Sequence, residues 1–282
     1  MVYSGFHAVS SHLQGYFKNL LGPSSTTRIP VDPSIISLGN TLPVDMQHLL
    51  CAPFTDTDIR DAIFSIPVLK SPGPDGFGSG FFKATWHITG PLVCSAIHHF
   101  FRTSHLPKNF GRTKLCLIPK TPTPTQAKDF RPISCCSVIY KGITKLLCSR
   151  LKIALPHLIH QSQGAFVEGR ELLFNVLICQ DLVRGYSRTG ISPRCIMKVD
   201  VHKAFHSVHW GFIRELLDNL KFPTQLTKWV MACISSVSYT ILVNGVQGEA
   251  FEGGRGLKQG DRLSPLLFAL AMDYFSPANA AC

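Results

Sequence analysis

Ten basic residues fall within residues 108–152: Lys108, Arg112, Lys114, Lys120, Lys128, Arg131, Lys141, Lys145, Arg150 and Lys152. Asp129 is the one acidic residue among them, so this stretch holds +9 of the chain's formal +11. Ammonium and guanidinium groups at that density bind polyanions through phosphate contacts, which fix register without reading bases. Ile139, Ile143, Leu146, Leu147, Leu151 and Leu155 recur at helical spacing in the same stretch, with Lys141, Lys145 and Lys152 on another face. Such a helix seats one side in a core and turns its ammonium groups outward. A merely solvated basic face is the plainer reading of the run; the amphipathic pattern beneath it favours a phosphate-tracking one. His98-His99 and Cys135-Cys136 are weaker candidates. Neighbouring side chains diverge on a regular element, so each pair chelates a metal poorly.

The elements that position these groups belong to a sizeable folded chain. It has 282 residues, 45% hydrophobic and 16% charged, which excludes wholesale disorder. A pI near 9.3 points to a polyanionic partner, nucleic acid ahead of a membrane surface. No apolar run approaches the ~20 residues of a membrane span. Residues 1–20 lack the pattern of a secretory signal. The ten cysteines form no C-x-x-C pair, so reduced thiols in a nuclear or cytoplasmic setting are expected.

Residues 1–48 are weakly patterned and read as a linker or N-terminal extension. A helix is expected over 56–65, capped by Thr55 or Thr57, with Ile59, Ala62, Ile63 and Ile66 as its apolar stripe. Ser71-Pro72-Gly73-Pro74-Asp75-Gly76 is a strong turn signal. Helices are expected over 81–86, 91–102, 210–220 and 263–275, and a strand over 114–118. A short buried strand is expected over 195–200. Runs at 239–243 and 246–251 flank Asn244-Gly245, a strong hairpin signal. Helix and strand mix without strict βαβ alternation, so the class is α+β.

Six segments, in order, resemble one family. They are Lys70-Ser71-Pro72-Gly73-Pro74-Asp75-Gly76, Leu117-Ile118-Pro119-Lys120, Asp129-Phe130-Arg131-Pro132-Ile133-Ser134, Gln163-Gly164-Ala165-Phe166-Val167-Glu168-Gly169-Arg170, Lys198-Val199-Asp200-Val201-His202-Lys203-Ala204-Phe205 and Gly256-Leu257-Lys258-Gln259-Gly260-Asp261-Arg262-Leu263-Ser264-Pro265. Together they resemble the reverse transcriptase of LINE-type, non-LTR retrotransposons, in the form common in plant genomes. The resemblance implies a right-hand polymerase, with fingers over 49–193 and part of the palm over 194–282. It implies an RNA-directed DNA polymerase working on an RNA template, a DNA primer and a dNTP, with two Mg²⁺ ions. Asp200 then matches the first metal-binding carboxylate, with the Val201 carbonyl as a further ligand. Lys120 and Arg131 match the cations that hold the triphosphate, and Phe205 the ring that excludes a ribose 2′-hydroxyl. Gln259 and Gly260 match the loop beside the nascent base pair. Lys141, Lys145, Lys152 and Arg170 become nucleic-acid contacts.

The chain departs from the family pattern in three places. No Asp-Asp pair occurs, and the second carboxylate motif of the palm and the thumb beyond it are expected to be absent. His206 stands where the family usually has Asp, and Arg262 where it usually has Pro. The expectation is a degenerate fragment without polymerase activity. The alternatives are a non-catalytic module that binds RNA or an RNA–DNA duplex, and a relic reading frame with no selected function. The strand bearing Asp200, without its partner hairpin, is expected to leave an exposed edge and a marginally folded segment over 194–282.

Overall fold

The computed structural model describes residues 5–23, 28–184, 186, 190 and 198–275. In chain order the elements begin with α1 (Phe6–Leu21), α2 (Pro33–Ile36), α3 (Val44–Cys51), α4 (Asp56–Phe64), α5 (Ser79–Ala84), α6 (Trp86–Thr103) and α7 (Lys108–Gly111). Then come β1 (Arg112–Pro119), a 3₁₀ turn (Ala127–Asp129), β2 (Phe130–Cys136), α8 (Val138–Leu158) and α9 (Leu172–Arg184). The last group is α10 (Ala204–Ser207), α11 (Trp210–Asn219), α12 (Thr224–Ser235), β3 (Ser238–Val243), β4 (Val246–Glu252) and α13 (Leu263–Asp273).

The four strands make one sheet in the order β2-β1-β3-β4, mixed with helices as the α+β class requires. β1 and β2 pair antiparallel, so the Thr-Pro-Thr-Pro loop between them returns the chain on itself. β1 and β3 run parallel, which joins two segments far apart in sequence. β3 and β4 form the expected hairpin. Its turn residues Asn244 and Gly245 both have positive φ, 48° and 84°, as the tight turn that matches strand twist demands.

Two apolar clusters hold these elements. In the larger, α8 buries Ile143, Leu147, Leu151 and Leu155 among residues of α3, α4, α6, α12 and α13. The apolar stripe expected on this helix is therefore its core face. α4 starts where Thr55 caps it: the Thr55 hydroxyl accepts from Asp58 N–H, and the Asp58 carboxylate accepts from Thr55 N–H. The Pro-Gly-Pro turn lies against the start of α8. A Cβ on Gly73 would stand 2.5 Å from the Ser137 nitrogen, so only glycine fits that approach.

The smaller cluster corrects the linker expected over residues 1–48. Leu13, Phe17 and Leu21 of α1 are buried on the sheet against Leu115, Tyr239, Ile241 and Phe251. Their spacing of four is a helical stripe inside a segment whose polar residues mask it. Arg255 ties the helix end down, donating to the carbonyls of Asn19 and Leu20, while Gly254 N–H donates to Leu21.

The strand expected over 195–200 is also corrected in part. Residues 195–197 lie outside the described ones; Lys198, Val199 and Asp200 are irregular and exposed. Residues of the segment expected to be marginal share a core with the rest. The larger cluster runs from Val31 to Ala271, across the boundary drawn at residue 193.

Candidate functional site

The β1–β2 hairpin presents two cations at one end. Lys120 follows the last residue of β1, and its N–H donates to the Asp129 carbonyl at 2.8 Å. Arg131 sits in β2 opposite Ile118. Both side chains are exposed. The Lys120 ammonium donates to the Lys128 carbonyl at 2.7 Å, which keeps it over the loop.

A second wall comes from residues 202–206. Lys203 adopts a left-handed conformation (φ 52°) and starts α10, where its carbonyl accepts from the N–H of His206 and Ser207. Phe205 stacks on Phe268 of α13, with centroids 4.6 Å apart and planes 18° from parallel. Its carbonyl accepts from Leu257 N–H at 2.7 Å, and the Val208 carbonyl accepts from Gly256 N–H. These bonds attach the Phe205 segment to the Gly256–Gly260 loop. That loop is fixed in turn to β2, because Ser134 N–H donates to the Gln259 carbonyl at 2.7 Å. Gly260 has φ 103°, a conformation that side chains rarely adopt.

The result is a cleft of about 430 Å³ that Lys120, Arg131, Phe205 and Gln259 all border. Lys128 and Lys203 border it too, against the one carboxylate of Asp129, so its net charge is positive; His206 also lines it. Burial first, then the charges of Lys120 and Lys203, push the His206 imidazole down to about 4. It is therefore neutral at pH 7 and adds no charge to the wall. Cationic walls of this kind suit an anionic ligand such as a polyphosphate. The fourth wall is Tyr16, Phe17 and Leu20 of α1. Reading residues 1–48 as linker missed it; the signal was the Leu13, Phe17, Leu21 stripe. Lys203 lies 5.2 Å from the Tyr16 ring centroid, which couples this wall to α10.

Asp200 and Val201 do not border this cleft. Asp200 is exposed, and among the described residues no three His, Cys, Asp or Glu side chains converge to hold a metal ion. One exposed carboxylate with one carbonyl does not satisfy a hard divalent cation, still less two. The residues present do not fit a two-metal centre.

The four cations expected to contact nucleic acid divide into two pairs. Lys141 and Lys145 are half-buried on α8, facing the Pro-Gly-Pro turn and α4: Lys141 donates to the Ser71 carbonyl at 2.6 Å, and Lys145 to the Ser65 hydroxyl. Lys152 pairs with Glu168 at 2.8 Å. Arg170 caps the end of α8, its guanidinium donating to the carbonyls of Ile159, His160 and Gln163.

Behind the Gln259 loop lies a polar network that sequence reading did not single out. Lys258 and Asp261 are only 4% and 8% exposed. The Lys258 ammonium donates to the Cys233 carbonyl at 3.3 Å, as does the Tyr140 hydroxyl at 3.1 Å. Burial raises the Asp261 carboxyl, while Lys258, the Thr144 hydroxyl and the N–H groups of Arg262 and Leu263 act to lower it.

The chain belongs to the reverse transcriptase (RNA-dependent DNA polymerase) family, whose model matches residues 118–281. Within that family it is a reverse transcriptase domain of the non-LTR retrotransposon type. It is 30% identical over 95% of its length to the transposon TX1 uncharacterized 149 kDa protein of Xenopus laevis. It is 29% identical over 82% of its length to the retrovirus-related Pol polyprotein of the type-2 retrotransposable element R2DM of Drosophila melanogaster. It is 28% identical over 76% of its length to the corresponding polyprotein of the type-1 element R2 of Nasonia vitripennis. The matched regions cover 20%, 21% and 20% of those proteins, so the chain spans about a fifth of their length. Polymerases of this family typically use a divalent metal, and the family implies a nucleic-acid template and primer. Among the described residues no helix is long and apolar enough to cross a membrane.

Proposed function

We propose that this chain is the nucleotide- and template-gripping portion of an RNA-directed DNA polymerase. Lys120 and Arg131 hold the triphosphate of a dNTP, Phe205 meets its sugar, and Gln259 with Gly260 lies beside the new base pair. RNA template and DNA primer lie along the basic face that includes Lys141 and Lys145, and Mg²⁺ is the metal of the complete reaction. The fingers are residues 49–193 and the palm begins at 194. One observation carries this reading: four residues from four separate motifs border a single cationic cleft. The test is equilibrium binding of a fluorescent dNTP in the absence of template. Lys120→Met and Arg131→Met should each weaken it about tenfold, since a hydrogen bond to a charged group contributes ~1.5–3 kcal/mol. Phe205→Ala should narrow the preference for dNTP over NTP. Unchanged binding in both charge variants would remove the assignment.

A second reading is a binding module without catalysis. It is supported by the isolation of Asp200, around which the described residues do not build a two-metal site. Primer extension separates the two: Mg²⁺-dependent synthesis that disappears in Asp200→Ala would show catalysis by this chain itself. Steep loss of RNA binding with salt, without synthesis at any metal concentration, favours the module.

A further inference from the structure

The 258–261 loop has a second ligand-sized space beside it. Gln259 borders the nucleotide cleft, whereas Gly260, Asp261 and Arg262 border a separate cavity of about 100 Å³. Its other walls are Ile66 and Pro67, Lys70 before the Pro-Gly-Pro turn, and Lys141 and Thr144 of α8. We propose that Lys70, Lys141 and Arg262 form a phosphate site that takes one backbone phosphate of a single RNA strand. The proposal rests on the polymerase reading above for the identity of the strand.

Three cations from three parts of the chain face one small cavity. The Lys141 ammonium has three donors and commits one to the Ser71 carbonyl, which leaves two for a ligand. Lys70 and Arg262 are exposed. The like charges of the cluster repel one another. Burial chiefly depresses the Lys141 ammonium, against the raising influence of Cys136 and Cys135, and the charge of Lys70 is a smaller push in the same direction as burial; burial and then Arg262 depress Lys145 next to it. An anion in the cavity relieves that repulsion. Asp261 is the one carboxylate in the wall, and the buried Lys258 ammonium acts against its charge. Burial raises its carboxyl, and its oxygens already accept from Thr144 and from the Arg262 and Leu263 N–H groups.

A strand fits better than a free ion because the positive charge continues past the cavity. Lys145 and Lys83 extend it along α8 and α5, and Lys152, paired with Glu168, lies beyond them. A phosphate held at Arg262 places that strand on the other face of the loop that borders the nucleotide cleft. Arg262 is also the position at which this chain departs from the Pro usual in the family it resembles, so the site is a property of this chain.

The test is fluorescence anisotropy with a short labelled single-stranded RNA, between about 50 and 200 mM salt. Arg262→Gln and Lys70→Gln should each weaken binding several-fold, and each should flatten the log affinity against log salt slope by about 0.7. Both positions are exposed, so thermal unfolding followed by circular dichroism should be unchanged. Lys228→Ala, at an exposed cation of α12 outside the cluster, should leave the slope as it is. If the wild-type chain binds RNA and both variants keep its slope, the phosphate site is wrong while the polymerase reading stands. If the wild-type chain binds no RNA at 50 mM salt, the phosphate site and the template half of that reading fall together, and dNTP binding still tests the other half.

Discussion

The Lys258 ammonium lies 3.8 Å from the centroid of the Tyr140 ring, with both side chains buried. A desolvated cation–π contact is worth about 2 kcal/mol. Lys258 also satisfies the Cys233 carbonyl and offsets the buried Asp261 carboxyl. Lys258→Met keeps the volume and removes the charge, so it should destabilise by roughly 2–4 kcal/mol. Tyr140→Phe keeps the ring and loses only the hydroxyl bond to Cys233, so it should cost about 1 kcal/mol. Urea unfolding of both variants gives the comparison. Equal losses would mean that the ammonium–ring contact contributes nothing beyond the hydroxyl bond. Because the loop carries Gln259, Lys258→Met should also weaken dNTP binding.

His206 makes stability depend on pH in a known direction. Its folded value is about 4, against an ordinary histidine value of 6.5, through burial and then the charges of Lys120 and Lys203. The unfolded chain therefore binds more protons between those values. The contribution of the neutral imidazole is complete above pH 6.5 and is lost as pH falls towards 4. Glu215 acts with the same sign lower down. Its hydrogen bonds from Arg28 and Val31 N–H lower it to about 2, so its contribution is present above 4.5 and fades below. Asp261 acts with the opposite sign, since burial raises it. The difference between wild type and His206→Gln in unfolding free energy from pH 7 to pH 5 isolates His206, since Asp261 and Asp273, both raised by burial, are common to the two: the wild type should lose more stability than the variant. A triphosphate in the cleft should raise the His206 value, which an imidazole NMR titration reads directly.

Local signals were legible where one short segment decides the outcome. Thr55 and Asp58 announce the start of α4, and Asn244-Gly245 the β3–β4 turn. The amphipathic stripe of α8 announces a core helix. The convergence of Lys120, Arg131, Phe205 and Gln259 was legible only through the family resemblance, because it depends on parallel pairing between β1 and β3. No local periodicity encodes that pairing. α1 went unread because Gln14, Gly15 and Asn19 dilute its stripe. The Lys258–Asp261 network was hidden by residue type: lysine and aspartate in a loop read as surface, and only tertiary burial reverses that.

Trp229 tests whether the chain unfolds as a unit. Its indole N–H donates to the Phe101 carbonyl at 2.8 Å, and its ring meets Phe101 edge-on with centroids 5.0 Å apart. The contact joins α12 to α6, on either side of the fingers–palm boundary expected from sequence. A core continuous across that boundary should melt in one transition, with tryptophan fluorescence and far-ultraviolet circular dichroism coinciding. Trp229→Phe should lower the midpoint for both signals together, at a cost of about 1–3 kcal/mol. Two separated transitions would show instead that residues 194–282 fold on their own terms.

Phe17 tests the part played by α1. The side chain is 1% exposed, packed on the sheet beside Tyr239 and Phe251, and it borders the nucleotide cleft. Phe17→Ala leaves a cavity between helix and sheet and should cost roughly 3–5 kcal/mol if α1 is integral to the fold. A helix that merely rests on the surface would detach at little cost, and the loss would be under ~1 kcal/mol. Phe17→Leu separates packing from cleft shape. It refills most of the volume, so stability should largely return while the cleft wall stays altered. Nucleotide binding that recovers in step with stability assigns α1 a supporting role. Binding that stays weak in the leucine variant makes the helix a wall that the ligand touches.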